Sequence, residues 1–144
     1  MSMFKTIIVG ADGSEHGNRA LEVASELARA NGSRVVVVHV TELVGGKGGS
    51  YPESIDEDEI RARIAGQVAE LAGKGIQAEF RTQVVTLGGP ARVIAEHAAA
   101  EGGDLIIVGT RGRSAVAQIV LGSVAVRLLH LAHCPVLVLP AANG

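Results

Sequence analysis

Thr6-Ile7-Ile8-Val9-Gly10-Ala11-Asp12-Gly13-Ser14 decides the fold, because a short apolar segment passes through glycine and a polar turn into a helix-starting residue. Thr6 to Val9 is β-branched without polar alternation, the pattern of a strand buried on both faces. From Ser14 to Asn31, Ala20, Leu21, Ala24, Leu27 and Ala28 recur at helical spacing, and Gly32 supplies the stop. Val35 to Val40 is a second apolar run, interrupted only by His39. Strand, helix and strand in this order predict two parallel strands joined by a right-handed crossover.

The same alternation continues along the chain. Leu105 to Val108 and Val136 to Leu139 are further buried-strand runs. Gln77 to Val85 differs: Ala78, Phe80, Thr82 and Val84 share one face and Gln77, Glu79, Arg81 and Gln83 the other, as in an edge strand with one wet face. Ser54 and Glu57 have the spacing of a capping box ahead of Ile60, Ile64, Val68 and Leu71. Pro90 suits a first helical turn ahead of Val93, Ile94, His97 and Ala98, with Gly102 and Gly103 as the stop. Ser123 precedes Val124, Leu128 and Leu131 in a short last helix before Pro135. The expectation is an α/β fold: a single doubly wound, Rossmann-like parallel sheet of five strands with helices on both faces. The alternating third strand belongs at an edge, which favours the order 3-2-1-4-5. Thr41 to Tyr51, with Gly45, Gly46, Gly48 and Gly49, is predicted to be a surface loop or a lid over a ligand. It is not a Walker A loop, since Gly48 follows Lys47 and Thr41 stands at the first glycine position.

Composition narrows the function. A length of 144 residues leads us to expect one domain over residues 1–144, and 47% hydrophobic against 19% charged residues supports one well-buried core. Lys plus Arg number 13 against 15 Asp plus Glu, so the net charge of -2 offers no footprint for nucleic acid or an anionic membrane. The lone Cys134 excludes an internal disulfide framework and a cysteine metal cluster. No apolar run approaches the ~20 residues of a membrane span, and no leader is evident, so a cytoplasmic location is expected. Aromatics at 2%, with no Trp, argue against flavin and against stacking platforms for single-stranded nucleic acid.

In an open parallel sheet, ligands bind beyond the carboxyl ends of the strands where the strand order reverses, here between the first and fourth strands. Both end in glycine and polar residues: Gly10-Ala11-Asp12-Gly13-Ser14, and Gly109-Thr110-Arg111-Gly112-Arg113-Ser114. The second loop runs on to Gly122-Ser123 at the start of the last helix, whose N-terminus is a ready anion site. Glycines that merely make turns are the plain alternative. Asp12 alone also reads as a cap beside Ser14, and Arg111 and Arg113 as solvated loop charges. His130 and His133 beside Cys134 read as complements to a helix C-terminus rather than as metal ligands, and His39 and His97 as core-edge or surface residues.

The sequence resembles the universal stress protein family. Gly109, Gly112, Gly122 and Ser123 reproduce that family's nucleotide motif of glycine, two residues, glycine, nine residues, glycine and Ser or Thr, and Ile7 to Ser14 and His133 to Leu139 are similar to its first and last strands. The resemblance implies an ATP-binding regulatory protein of the stress response. Asp12 would contact ribose or a metal, Mg2+ with the nucleotide, and Val40 would meet adenine through its backbone. Gly109, Arg111, Gly112, Gly122, Ser123 and Val124 would surround ribose and phosphates. Ala11, Gly13, Ser14, Thr110 and Arg113 complete the candidate nucleotide-binding set. Many relatives carry His where Arg111 stands. The resemblance also implies a homodimer through the last strand, Val136, Leu137, Val138 and Leu139.

Three rivals fail on residues: a phosphorelay receiver lacks its Asp and Lys at the third and fifth strand ends, a flavodoxin lacks aromatics, and a Rossmann dehydrogenase lacks Gly-x-Gly-x-x-Gly after the first strand. An ATP-hydrolysing or nucleotidyl-transferring enzyme using the same pocket stays open.

Overall fold

The structure, a computed structural model, describes residues 3–46, 49–52, 57–85, 89–110 and 122–140. The elements are β1 (Thr6–Gly10), α1 (Glu15–Asn31), β2 (Arg34–Gly46), β3 (Gly49–Pro52), α2 (Glu57–Gly73), β4 (Ala78–Val85), α3 (Gly89–Glu101), β5 (Leu105–Gly109), α4 (Ser123–Leu131) and β6 (Val136–Leu139). The parallel strands lie in the order β4-β2-β1-β5-β6, which is the expected 3-2-1-4-5. The chain winds outward from β1 to the β4 edge, crosses back with α3, and continues outward from β5 to β6.

Strand alternation sorts the apolar side chains into two layers. Ile7, Val9, Val35, Val37, Leu105 and Ile107 face α1 and α2, where they meet Ala20, Ala24, Ala28, Ile60, Ile64 and Val68. Ile8, Val36, Val38, Ile106 and Val108 face α3 and α4 and meet Val93, Ile94, Ala98, Ala125 and Leu128. The alanine stripe on α1, every fourth residue and at most 2% exposed, lets that helix settle closely on the branched strand residues. Ser14 caps α1, its Oγ accepting from the Gly17 N–H at 3.1 Å, and Gly32 ends it in the left-handed conformation at φ 70°.

Gly10 has a different reason for being glycine from the one its position beside the crevice indicated. A β-carbon there would lie 2.8 Å from Ile94 Cδ1 and 3.0 Å from Val108 Cγ1, so a side chain at this position would have to displace the packing of α3. At the amino end of the sheet, Arg34 on β2 pairs with Glu79 on β4 and, at 3.2 Å, with Glu101 of α3, while Arg81 meets Glu101 at 3.0 Å. These ion pairs tie the edge strand to its neighbours at the end away from the candidate site.

Two expectations are corrected. Thr41 to Tyr51 is not simply a loop: β2 runs on to Gly46 and pairs antiparallel with β3, Leu43 opposite Pro52 and Gly46 opposite Gly49. The inner face assigned to β4 also ends early. Ala78 and Phe80 pack on the core, but Val84 is 57% exposed. Ser54 lies outside the described residues; Glu57, its partner in the expected capping box, turns its carboxylate inward, as described below.

Candidate functional site

The first wall is the turn from β1 into α1. The Ala11 N–H donates to the Val38 carbonyl at 3.0 Å and holds the turn against β2. Asp12 Oδ1 accepts from the Ser14 N–H at 2.9 Å and from Ser14 Oγ at 2.5 Å. Gly13 takes φ +85°, a left-handed conformation that favours glycine. A β-carbon at Gly17 would stand 3.1 Å from Asp12 Oδ1, so the glycine inside the first turns of α1 makes room for the carboxylate. Oδ2 of Asp12 has no partner among the described residues.

The opposite wall is where β5 ends and α4 starts. The Thr110 N–H donates to the Leu139 carbonyl at 2.7 Å, and the Gly122 N–H donates to the Thr110 carbonyl at 2.5 Å. Residues 110 and 122 are therefore joined directly. Gly122 is the N-cap of α4 and brings no side-chain oxygen to its first turn. The leading N–H groups of that nine-residue helix thus keep the partial positive charge that attracts an anion. Beside it, Ser123, Val124 and Arg127 line a hollow with Glu42 of β2 and Gly89, Pro90 and Ala91 of α3. Two helix N-termini meet there.

Val40 lies between these walls. Peptide groups in a parallel strand point alternately to the two neighbours, and the Val38 carbonyl points to β1, so the Val40 N–H and C=O point the same way. The β1–β2 ladder stops at Gly10 opposite Val38, one step short of them. The backbone of Val40 therefore faces the crevice while its side chain, 8% exposed, packs toward α3 and α4.

Of the sequence-predicted residues, Ala11, Asp12, Gly13 and Ser14 form one wall, and Gly109, Thr110, Gly122, Ser123 and Val124 the other, with Val40 between. Arg111, Gly112 and Arg113 lie outside the described residues. Sequence reasoning missed Glu42 and Arg127, and it placed His39 at the core edge or surface. His39 is instead fully buried, with Glu57 3% and Thr41 2% exposed around it. Their signal was the β-strand period itself, which puts residues 39 and 41 on the α2 face. Cys134 is half-buried, and burial first and the Asp104 charge second push its thiol up, away from nucleophile chemistry. Among the described residues no group of three or more His, Cys, Asp and Glu side chains could hold a metal, and no helix is long and apolar enough to cross a membrane.

The sequence profile of the universal stress protein family matches residues 3–140. The universal stress protein in the QAH/OAS sulfhydrylase 3′ region of Thermus aquaticus is 37% identical over 139 residues, spanning 94% of this chain and 98% of the relative. The crystal structure of a universal stress protein family member from Burkholderia pseudomallei superposes at TM-score 0.70 with 31% identity, over 98% of this chain and 99% of that one. A universal stress protein from Archaeoglobus fulgidus, solved in complex with dAMP, superposes at TM-score 0.64 with 26% identity over 96% of this chain and 98% of that one.

Proposed function

The chain belongs to the universal stress protein family, and we propose that it binds an adenine nucleotide, ATP in the cell, between the carboxyl ends of β1 and β5 and acts as a nucleotide-dependent regulatory switch. The observation that carries this reading is the start of α4: an N-cap glycine without a side-chain cap, flanked by Ser123 and tied to Thr110, at the point where the strand order reverses. Phosphates accept from the leading N–H groups of α4, with Gly109 beside them and Val124 beside the ribose, and the family resemblance assigns Arg111, Gly112 and Arg113 to the same ligand. The backbone of Val40 supplies one donor and one acceptor for an adenine edge. The dAMP complex of the Archaeoglobus relative supports the ligand class.

A divalent cation, Mg2+ in the cell, accompanies the nucleotide. The chain fits this in a limited way: Asp12 Oδ2 is a carboxylate oxygen without a partner among the described residues, and the remaining ligands must come from phosphate and water. Hydrolysis is slow at best in this reading. Phosphoryl transfer needs a group that orients the attacking water, and none of Thr110, Arg111, Arg113, Ser114 and Gln118 in the sequence between β5 and α4 carries a base signature at a specific spacing. The dimer forms through the β6 edge.

The test is to extract and identify the small molecules that purify with the folded protein. Adenine nucleotide in near-stoichiometric amount supports the reading; protein that carries none and takes up none on incubation with ATP and Mg2+ overturns it. Retention of ATP marks a binder, and rapid multiple turnover an enzyme.

A further inference from the structure

Among the buried polar side chains that the proposed site does not use are His39 and Glu57. Both side chains are buried, on the face of the sheet opposite the α4 wall. His39 Nδ1 lies 2.7 Å from the Ala11 carbonyl oxygen, and Nε2 lies 2.9 Å from Glu57 Oε2. A carbonyl only accepts, so Nδ1 carries the hydrogen of the first contact. Glu57 Oε2 also accepts from Thr41 Oγ1 at 3.1 Å, and Arg61 Nη1 donates to that hydroxyl at 3.2 Å. A chain of polar contacts thus runs from the first turns of α2 through the core to the peptide that begins the Ala11–Ser14 turn.

The place where this chain ends matters. The β1–β2 ladder proceeds from Arg34 N–H on the Lys5 carbonyl to Ala11 N–H on the Val38 carbonyl. One further step in the same alternation would set the Ala11 carbonyl to accept from the Val40 N–H. His39 engages that carbonyl from the α2 face instead, and strand β1 ends at Gly10.

We propose that His39 is a positioning residue of the nucleotide site: by holding the Ala11 carbonyl it ends the ladder, leaves the Val40 backbone to the ligand and fixes the turn that presents Asp12, while Glu57 fixes the imidazole. This rests on the nucleotide-binding reading for its consequence but not for its geometry. Asn at position 39 places an amide donor near Nδ1 and loses Glu57; Gln places one near Nε2 and loses Ala11. The two variants therefore separate the contact to the turn from the contact to the helix.

The experiment compares His39→Asn and His39→Gln with wild type in two measurements on the full chain. In nucleotide-free protein, amide hydrogen exchange at Ser14 accelerates in H39Q and stays near wild type in H39N. In calorimetric titration with ATP and Mg2+, H39Q weakens affinity on the order of tenfold and H39N by much less, the size of one lost buried hydrogen bond. Thermal denaturation orders the variants differently, because H39N leaves the Glu57 carboxylate without its imidazole and is the less stable. Equal effects of the two variants on Ser14 exchange, or affinity losses that follow thermal stability, overturn the positioning role. Wild-type protein that binds no nucleotide overturns the proposed function, and the exchange measurement still decides the role of His39.

Discussion

Replacing Gly10 by alanine tests whether this glycine serves the packing of α3 or the approach of a ligand. The added β-carbon would stand 2.8 Å from Ile94 Cδ1 and 3.0 Å from Val108 Cγ1, both in the buried cluster between the sheet and helices α3 and α4. Ile94 Cδ1 is the end of a side chain and can shift, but only against neighbours that are themselves buried, so the penalty falls in the ordinary overpacking range of about 1–3 kcal/mol. At about 3 °C per kcal/mol for a chain of this length, Tm falls by roughly 3–9 °C. Ile94→Val removes the clashing methyl at its own penalty of about 0.5–1.5 kcal/mol. The double variant G10A/I94V should then be close in stability to I94V alone, a coupling of about 1 kcal/mol or more in a thermal or urea double-mutant cycle. A Tm for G10A within about 1 °C of wild type, or penalties that simply add, would refute the packing account. So would G10A losing nucleotide affinity with its stability intact.

Three further outcomes follow from the same structure. The Arg34 hydrogen bond, helped by Arg81, holds the Glu79 carboxyl below the usual carboxylate range, so its contribution is present above the unfolded value and lost as pH falls through the lowered folded value. The stability gap between wild type and E79Q, from urea titrations between about pH 7 and pH 3, should therefore be constant near neutrality and shrink in acid; a gap unchanged by pH contradicts this. Cys134 should alkylate with iodoacetamide several-fold more slowly than free cysteine near neutral pH, and a rate at or above free cysteine would show that the thiol is not held up by burial and Asp104. On β6, Pro135 and Leu139 turn their carbonyls to β5, so Val136 and Val138 point their peptide groups outward. Val138→Pro removes one outward N–H without touching the β5 ladder and should convert a sedimenting dimer to a folded monomer; a monomeric wild type at micromolar concentration, or a variant as dimeric as wild type, counts against the β6 interface.

Much of this architecture is written in local patterns. The apolar runs at 6–9, 35–40, 105–108 and 136–139 place four strands, and the alternation over 77–85 places a fifth at the edge, because period and burial on one or two faces are properties of the segment itself. The antiparallel extension of β2 with β3 was not legible. Gly45 and Gly46 are poor strand formers, and only cross-strand pairing with Gly49–Pro52 makes them extended. His39 misled for a similar reason: its partner Glu57 arrives from α2, 18 residues on, and without that carboxylate a histidine in this place reads as a surface or rim residue. Val84 followed the alternation of its strand but lies exposed, since period says which way a side chain points and not whether anything covers it. The walls of the site were legible because glycine, aspartate and serine at strand ends and helix starts answer to turn and cap chemistry. The inward turn of Gly10 toward Ile94 was not, since it depends on how closely α3 approaches.

The most direct test of the central claim is calorimetric titration of ATP with Mg2+ into wild-type protein and into Gly122→Val. Gly122 sits at φ -74° and ψ 166°, an extended conformation open to valine, so the variant can keep the backbone geometry at the start of α4 while adding a branched side chain where phosphate is to meet it. The account predicts saturable binding of about one nucleotide per chain by the wild type and loss of binding by the variant, with cooperative thermal unfolding retained. Unchanged affinity in Gly122→Val, or no binding to the wild type, would contradict it.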